Sequence, residues 1–147
     1  MIQLKQNTNR ICYMILPEGI KENLAEGLAI LSEKYSVSIV VINDVDWNND
    51  LTPWPADGVF KKAKPFGGHA AGFLDKLTHE IIPDAEKQLG IEEAERTILG
   101  VSLSGLFAVW QDNLRRLCRT SMLNLGSVIL APFVPNDVLT PFLLRLI

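Results

Sequence analysis

A chain of 147 residues with 48% hydrophobic and 21% charged residues is one domain's worth of compact α/β protein, long enough to bury a real core. A net charge of −3 excludes the electrostatic footprint of a nucleic-acid binder or of a protein drawn to anionic membranes. No apolar run reaches the roughly 18 residues of a membrane span and residues 1–10 hold no signal-peptide core, so a cytoplasmic location is expected.

Ile2 and Leu4 alternate with polar residues, Asn7-Thr8-Asn9 is a turn, and Ile11 to Leu16 is an apolar run, which predicts a hairpin or two successive strands. Pro17-Glu18-Gly19 ends the second strand. Ile20, Leu24, Leu28 and Leu31 then recur as one face of an amphipathic helix, closed at Tyr35-Ser36, and Val37 to Ile42 reads as a strand covered on both sides. Strand, helix and strand in about 30 residues predict a βαβ unit with a parallel pair.

The connection from Asn43 to Pro65 carries Trp47 and Trp54, which either wall a site or pack the loop onto the domain. Gly67-Gly68-His69 opens a helix with Phe73, Leu74, Leu77 and Ile81 on one face; Pro83 kinks or restarts it, and Leu89-Gly90 closes it. The glycines match neither a Walker loop nor a dinucleotide fingerprint, so no cofactor is expected. Cys12 and Cys118 stand alone, without partners at metal-ligand spacing. They read as buried or inert thiols, with a disulfide as the alternative, and no metal is expected.

Arg96 to Trp110 is the stretch around which the chain is organised. Thr97 to Leu99 is a short buried-strand run, and Leu106, Phe107, Val109 and Trp110 recur at helical spacing. Between them lies Gly100-Val101-Ser102-Leu103-Ser104-Gly105. A serine at such a strand-to-helix corner is how an α/β-hydrolase presents its nucleophile, and small residues at 100, 104 and 105 suit the close approach of strand and helix. The same residues also suit an ordinary loop in which Ser102 caps the helix.

Beyond the corner, Leu114 and Leu117 continue the helical pattern, Gly126 interrupts, Ser127 to Phe133 reads as a strand and Thr140-Pro141 as a helix start. Residues 1–110 carry a net charge of −5, whereas 111–147 carry +2 and no lysine. This break divides the chain into a body, 1–110, and a divergent or out-of-frame tail, 111–147.

With these residues in place, the sequence resembles esterases of the α/β-hydrolase superfamily related to esterase D and to the trilactone-siderophore (enterobactin-type) esterases. The resemblance covers residues 10–110 and rests on the run from Asp46 to Pro55, on Phe66-Gly67-Gly68 with Leu77 to Pro83, and on Gly100 to Phe107. It implies a partial α/β-hydrolase fold, a mostly parallel sheet of four or five strands with helices on both faces and without the carboxyl-terminal strands. The expected strand order runs from the second βαβ strand through the first to the corner strand. The resemblance also implies Ser102 as nucleophile, Leu103 N–H as one oxyanion donor and a second near Glu18 or Gly19. It places Trp47 and Trp54 in the pocket wall and a small-molecule ester as substrate.

The family's general base follows the nucleophile, and no histidine follows Ser102. His69 is the candidate substitute base, ahead of His79. A truncated, catalytically impaired serine esterase is therefore expected, with two alternatives: a binding or self-association module held together by the apolar tail, or a minimal hydrolase using His69.

Overall fold

The structure is a computed structural model that describes residues 2–17, 22–59, 61–113, 124–125 and 128–130. Its main sheet has the order β1-β3-β2-β6-β8-β7. The strands are β1 (Ile2–Leu4), β2 (Arg10–Ile15), β3 (Ser38–Ile42), β6 (Glu95–Val101), β7 (Asn124–Leu125) and β8 (Val128–Leu130). A two-stranded ribbon pairs β4 (Pro55–Ala56) with β5 (Phe66–Gly67). The helices are α1 (Glu22–Tyr35), α2 (Ala70–Lys76), α3 (Ile82–Leu89) and α4 (Leu103–Asn113), with a π-helical turn at Leu77–Ile81 joining α2 to α3.

The centre of the sheet is as expected. β2 pairs in parallel with β3 on one side and β6 on the other, so Ile15 is level with both Ile42 and Gly100. The edges differ, because two of the five pairings are parallel and three antiparallel. The expected mostly parallel sheet of four or five strands is therefore corrected to a mixed one of six.

The reason is local. β1 joins β3 rather than β2, which resolves the opening as two successive strands rather than a hairpin. At the other edge β7 runs in the direction of β6, and its antiparallel partner β8 slots in between. Of the strand read over 127–133, β8 is the described part; the helix start at Thr140-Pro141 and Cys118 lie outside the described residues.

Helices lie against both faces, unequally. Ile11, Tyr13 and Ile15 of β2, Val40 and Ile42 of β3 and Ile98 of β6 pack with Phe73, Leu74, Leu77, Ile82, Ala85, Leu89, Phe107 and Ala108 as the main core. The opposite face gives α1 a small cluster of Leu28, Ile39 and Val41. Of the apolar face expected on α1, Leu28 is buried, but Leu24 is 38% and Leu31 45% exposed. Ile20 lies outside the described residues. Ser36, at φ 48°, ends the helix where expected.

The helix after Gly68 carries a second correction. A uniform α-helix puts Ile81 in line with Leu77, but Ile82 is the fully buried residue. The Ile82 N–H donates to the Leu77 carbonyl, five residues back, so the π turn inserts one residue into the helical phase. Pro83 explains it: the ring lacks an N–H and crowds the carbonyl four residues earlier, and the wider turn relieves that clash. Gly90, at φ 68°, closes α3.

Candidate functional site

Because β2, β3 and β6 run in parallel, the segments that follow them leave the sheet from one edge. These are residues 16–17 after β2, the Asp46–Thr52 loop after β3, and Ser102 after β6. Between β2 and β6 the strand order reverses, since the chain passes from β2 outward to β3 and then back across to β6. Crevices outside the carboxyl ends of strands at such a reversal are where open α/β sheets bind ligands.

Ser102 is the single residue between β6 and α4, exposed and at φ 57°. Left-handed backbone costs a non-glycine residue about 1–2 kcal/mol and persists where its surroundings enforce it. Three contacts do so here. A Cβ on Gly100 would run into the backbone of Ser104 and Gly105, so strand and helix meet at their closest approach. The Leu106 N–H donates to the Ser102 carbonyl (3.1 Å), starting the helix. Fully buried Ser104 donates its hydroxyl to the Val101 carbonyl (2.9 Å) and accepts the Val101 N–H (2.8 Å).

The Ser102 hydroxyl has no hydrogen-bond partner among the described residues, and its positive φ is not the extended backbone of a capping serine. Leu103 opens α4, where a helix leaves N–H groups without intrahelical partners, and its side chain packs on the main core. Glu18 and Gly19 lie outside the described residues.

The loop after β3 is a tight knot. Asp46 accepts from the Asn49 side chain (2.7 Å) and backbone (3.3 Å), and the Asp46 N–H donates to Asp50 (2.9 Å). The bonds from Asn49, its side chain first, hold the Asp46 carboxyl below the usual aspartate range. The Gly-Gly-His turn is tied onto this knot. Gly67 N–H reaches the Asn48 carbonyl (3.1 Å), Gly68 N–H the Thr52 hydroxyl (3.0 Å), His69 N–H the Asn49 carbonyl (2.9 Å) and Ala70 N–H the Thr52 carbonyl (3.1 Å). A Cβ on Gly67 would strike the Asn49 side chain, so two of the segments quoted for the resemblance are two halves of one contact. Buried Leu51 anchors the knot in the core. Trp47 packs against that core as well, whereas Trp54 is 44% exposed.

His69 is the exposed N-cap residue of α2 and shares no hydrogen bond with Ser102. His79 lies exposed in the π turn, its Nδ1 3.1 Å from Asp75 one turn back. The structure thus brings neither ring into bonding contact with the Ser102 hydroxyl. A groove beside the end of β3 is lined by Asp44, Glu80 and Asp84 with Lys76, and Ser102 does not line it. Among the described residues no group of three His, Cys, Asp or Glu side chains is arranged to hold a metal.

Sequence reasoning missed a polar clamp toward the amino end of β6. Arg96 donates two hydrogen bonds to Glu86 (2.6 and 2.9 Å), and buried Tyr13 donates its hydroxyl to the same carboxylate (3.3 Å), tying β2, β6 and α3 together. The helical phase set by the π turn was the missing signal, since it rotates Glu86 inward. Cys12 carries a free thiol, which burial pushes up to about 12.

A family model described as putative esterase matches residues 16–112. A Bacillus subtilis (strain 168) protein named uncharacterized protein YbbA is 31% identical over 64 residues, 42% of this chain and 26% of that protein. The match therefore spans about a quarter of that relative's length. No solved structure gives a significant match. No described helix is long and apolar enough to cross a membrane. The family match begins just after β2 and ends within α4, enclosing the knot, the Gly-Gly-His turn and the Ser102 corner, and by that match the chain belongs to the putative esterase family.

Proposed function

We propose that this chain carries the nucleophile-bearing part of a carboxylic-ester hydrolase, with Ser102 as the nucleophile at an elbow between β6 and α4. The observation that carries this reading is a solvent-exposed serine at φ 57°, its hydroxyl unengaged among the described residues, at the strand-order reversal of a parallel sheet centre. In the proposed reaction the Ser102 oxygen attacks the ester carbonyl, and the Leu103 N–H at the start of α4 stabilises the resulting oxyanion. The tetrahedral intermediate expels the alcohol, and water then releases the acid from the acyl-serine. In this reading Trp47 and Trp54 belong to the pocket wall, and the substrate is a small-molecule ester.

The 147-residue chain performs this chemistry poorly. A serine hydroxyl stays protonated at neutral pH unless a base takes its proton, and removing triad members costs about 10⁴ to 10⁶ in rate. No histidine follows Ser102 in this sequence, and His69 makes no bond to it. Prolonged exposure to a fluorophosphonate tests both halves of the reading. Slow stoichiometric labelling that disappears in Ser102→Ala and persists in His69→Ala supports it; labelling that survives Ser102→Ala, or no labelling over a day, sinks it.

A second reading, an association module derived from an esterase, draws on the exposure of Leu24, Leu31 and Ile30 on α1. Size-exclusion chromatography with light scattering decides it: a monomer across the micromolar range removes its support.

A further inference from the structure

We propose that Ser104 is a positioning residue, whose hydroxyl clasps both backbone groups of Val101 and thereby holds Ser102 in its left-handed conformation. The inference rests on reading Ser102 as the nucleophile, and it concerns what keeps that residue aimed.

A serine at φ 57° relaxes toward the β or right-handed region unless its flanks are fixed. On the helix side, the Ser102 carbonyl is held by the Leu106 N–H. On the strand side, the four-residue span from Val101 to Ser104 is closed by the Ser104 side chain, whose single proton goes to the Val101 carbonyl while a lone pair takes the Val101 N–H. The hydroxyl is fully buried, so water does not compete for either bond. The arrangement is a variant of the capping box, in which a first-turn side chain reaches back past the cap residue. Glycine at 100 completes it, since any side chain there would push Ser104 out of reach. Alanine or glycine at 104 would remove both bonds and free the corner to relax.

The test uses the full 147-residue chain, isotopically labelled, with Ser104→Ala compared against wild type and against Ile82→Val. The latter is a core truncation on α3, away from the corner, and serves as the thermal-stability control. Ser104→Ala is expected to speed amide exchange at Val101 about tenfold, the effect of losing one buried hydrogen bond. It is also expected to move the Ser102 Cα and Cβ chemical shifts away from left-handed values and to slow fluorophosphonate labelling of Ser102 by a similar factor. Ile82→Val should alter none of these at matched fractions folded. Unchanged Ser102 shifts in Ser104→Ala would overturn the proposal, and so would the same changes in Ile82→Val, which would make the effect one of stability alone. Wild type that takes no label while Ser102 still shifts in Ser104→Ala would defeat the nucleophile reading and leave the clasp standing.

Discussion

The two faces of the sheet are built to different standards. On one, α2, the π turn, α3 and α4 cover Ile11, Tyr13, Ile15 and Ile98 completely, with the Phe107 ring in tilted contact with Phe73 (5.2 Å) and Trp110 (6.1 Å). On the other, α1 touches down mainly through Leu28, and Cys12, Met14, Leu16 and Leu99 are half-buried. The Ser102 corner hangs from the well-packed side, because α4 is pinned there by Phe107 and Ala108. A site can therefore keep its local geometry while half of its supporting sheet lacks a full cover.

Phe107→Ala should break this contrast most severely. Truncating a fully buried aromatic costs about 3–5 kcal/mol, whereas Met14→Ala on the opposite face should cost about 1 kcal/mol, both read from urea midpoints. Equal costs would show the two faces to be equivalent. Cys12 sharpens the comparison from the thinner side: with its pKa pushed up to about 12, the thiolate fraction at pH 8 is about 10⁻⁴. Iodoacetamide should then modify it roughly a thousandfold more slowly than a free cysteine until the chain unfolds.

Glu86→Gln should cost about 2 kcal/mol, less than a fully buried ion pair because Arg96 is partly exposed. Leu31→Gln on α1 should change stability by less than about 0.5 kcal/mol. The same substitution should abolish any self-association seen by light scattering. The smallest effect is acidic: Asp46 has a lowered pKa, so its stabilisation is complete above the ordinary aspartate range and is lost as pH falls through its own lower value. The melting difference between wild type and Asp46→Asn should shrink as the pH is lowered from 6 toward 3.

What the sequence made legible follows from what side-chain pattern encodes. Apolar runs at 11–16, 37–42 and 97–101, with a helix between each pair, give the β3-β2-β6 centre, because crossover geometry leaves little choice. Edge direction is not in the pattern: Ile2 and Leu4 read alike whether β1 pairs with β2 or β3. Helical periodicity predicted Ile81 as the inward residue and could not count the extra residue that Pro83 forces. Ser102 stood out by its neighbours, yet its positive φ and the second use of Ser104 depend on backbone geometry that spacing does not record. Leu24 and Leu31 looked like core because an amphipathic stripe states what a helix could bury, not how far its neighbour extends.

The turn at Leu77–Ile81 gives this helix an unusual tolerance. An ordinary helix that loses one residue rotates everything beyond the gap by about 100° and tears one contact face from the other. Here the surplus residue is already present. Excising Thr78 together with Pro83→Ala would turn the wide ring into a standard one, with Phe73 and Leu74 before it and Ala85 and Leu89 after it still aimed at the same side. The segment is a built-in spare, a place where the gene can shorten without the domain losing its footing.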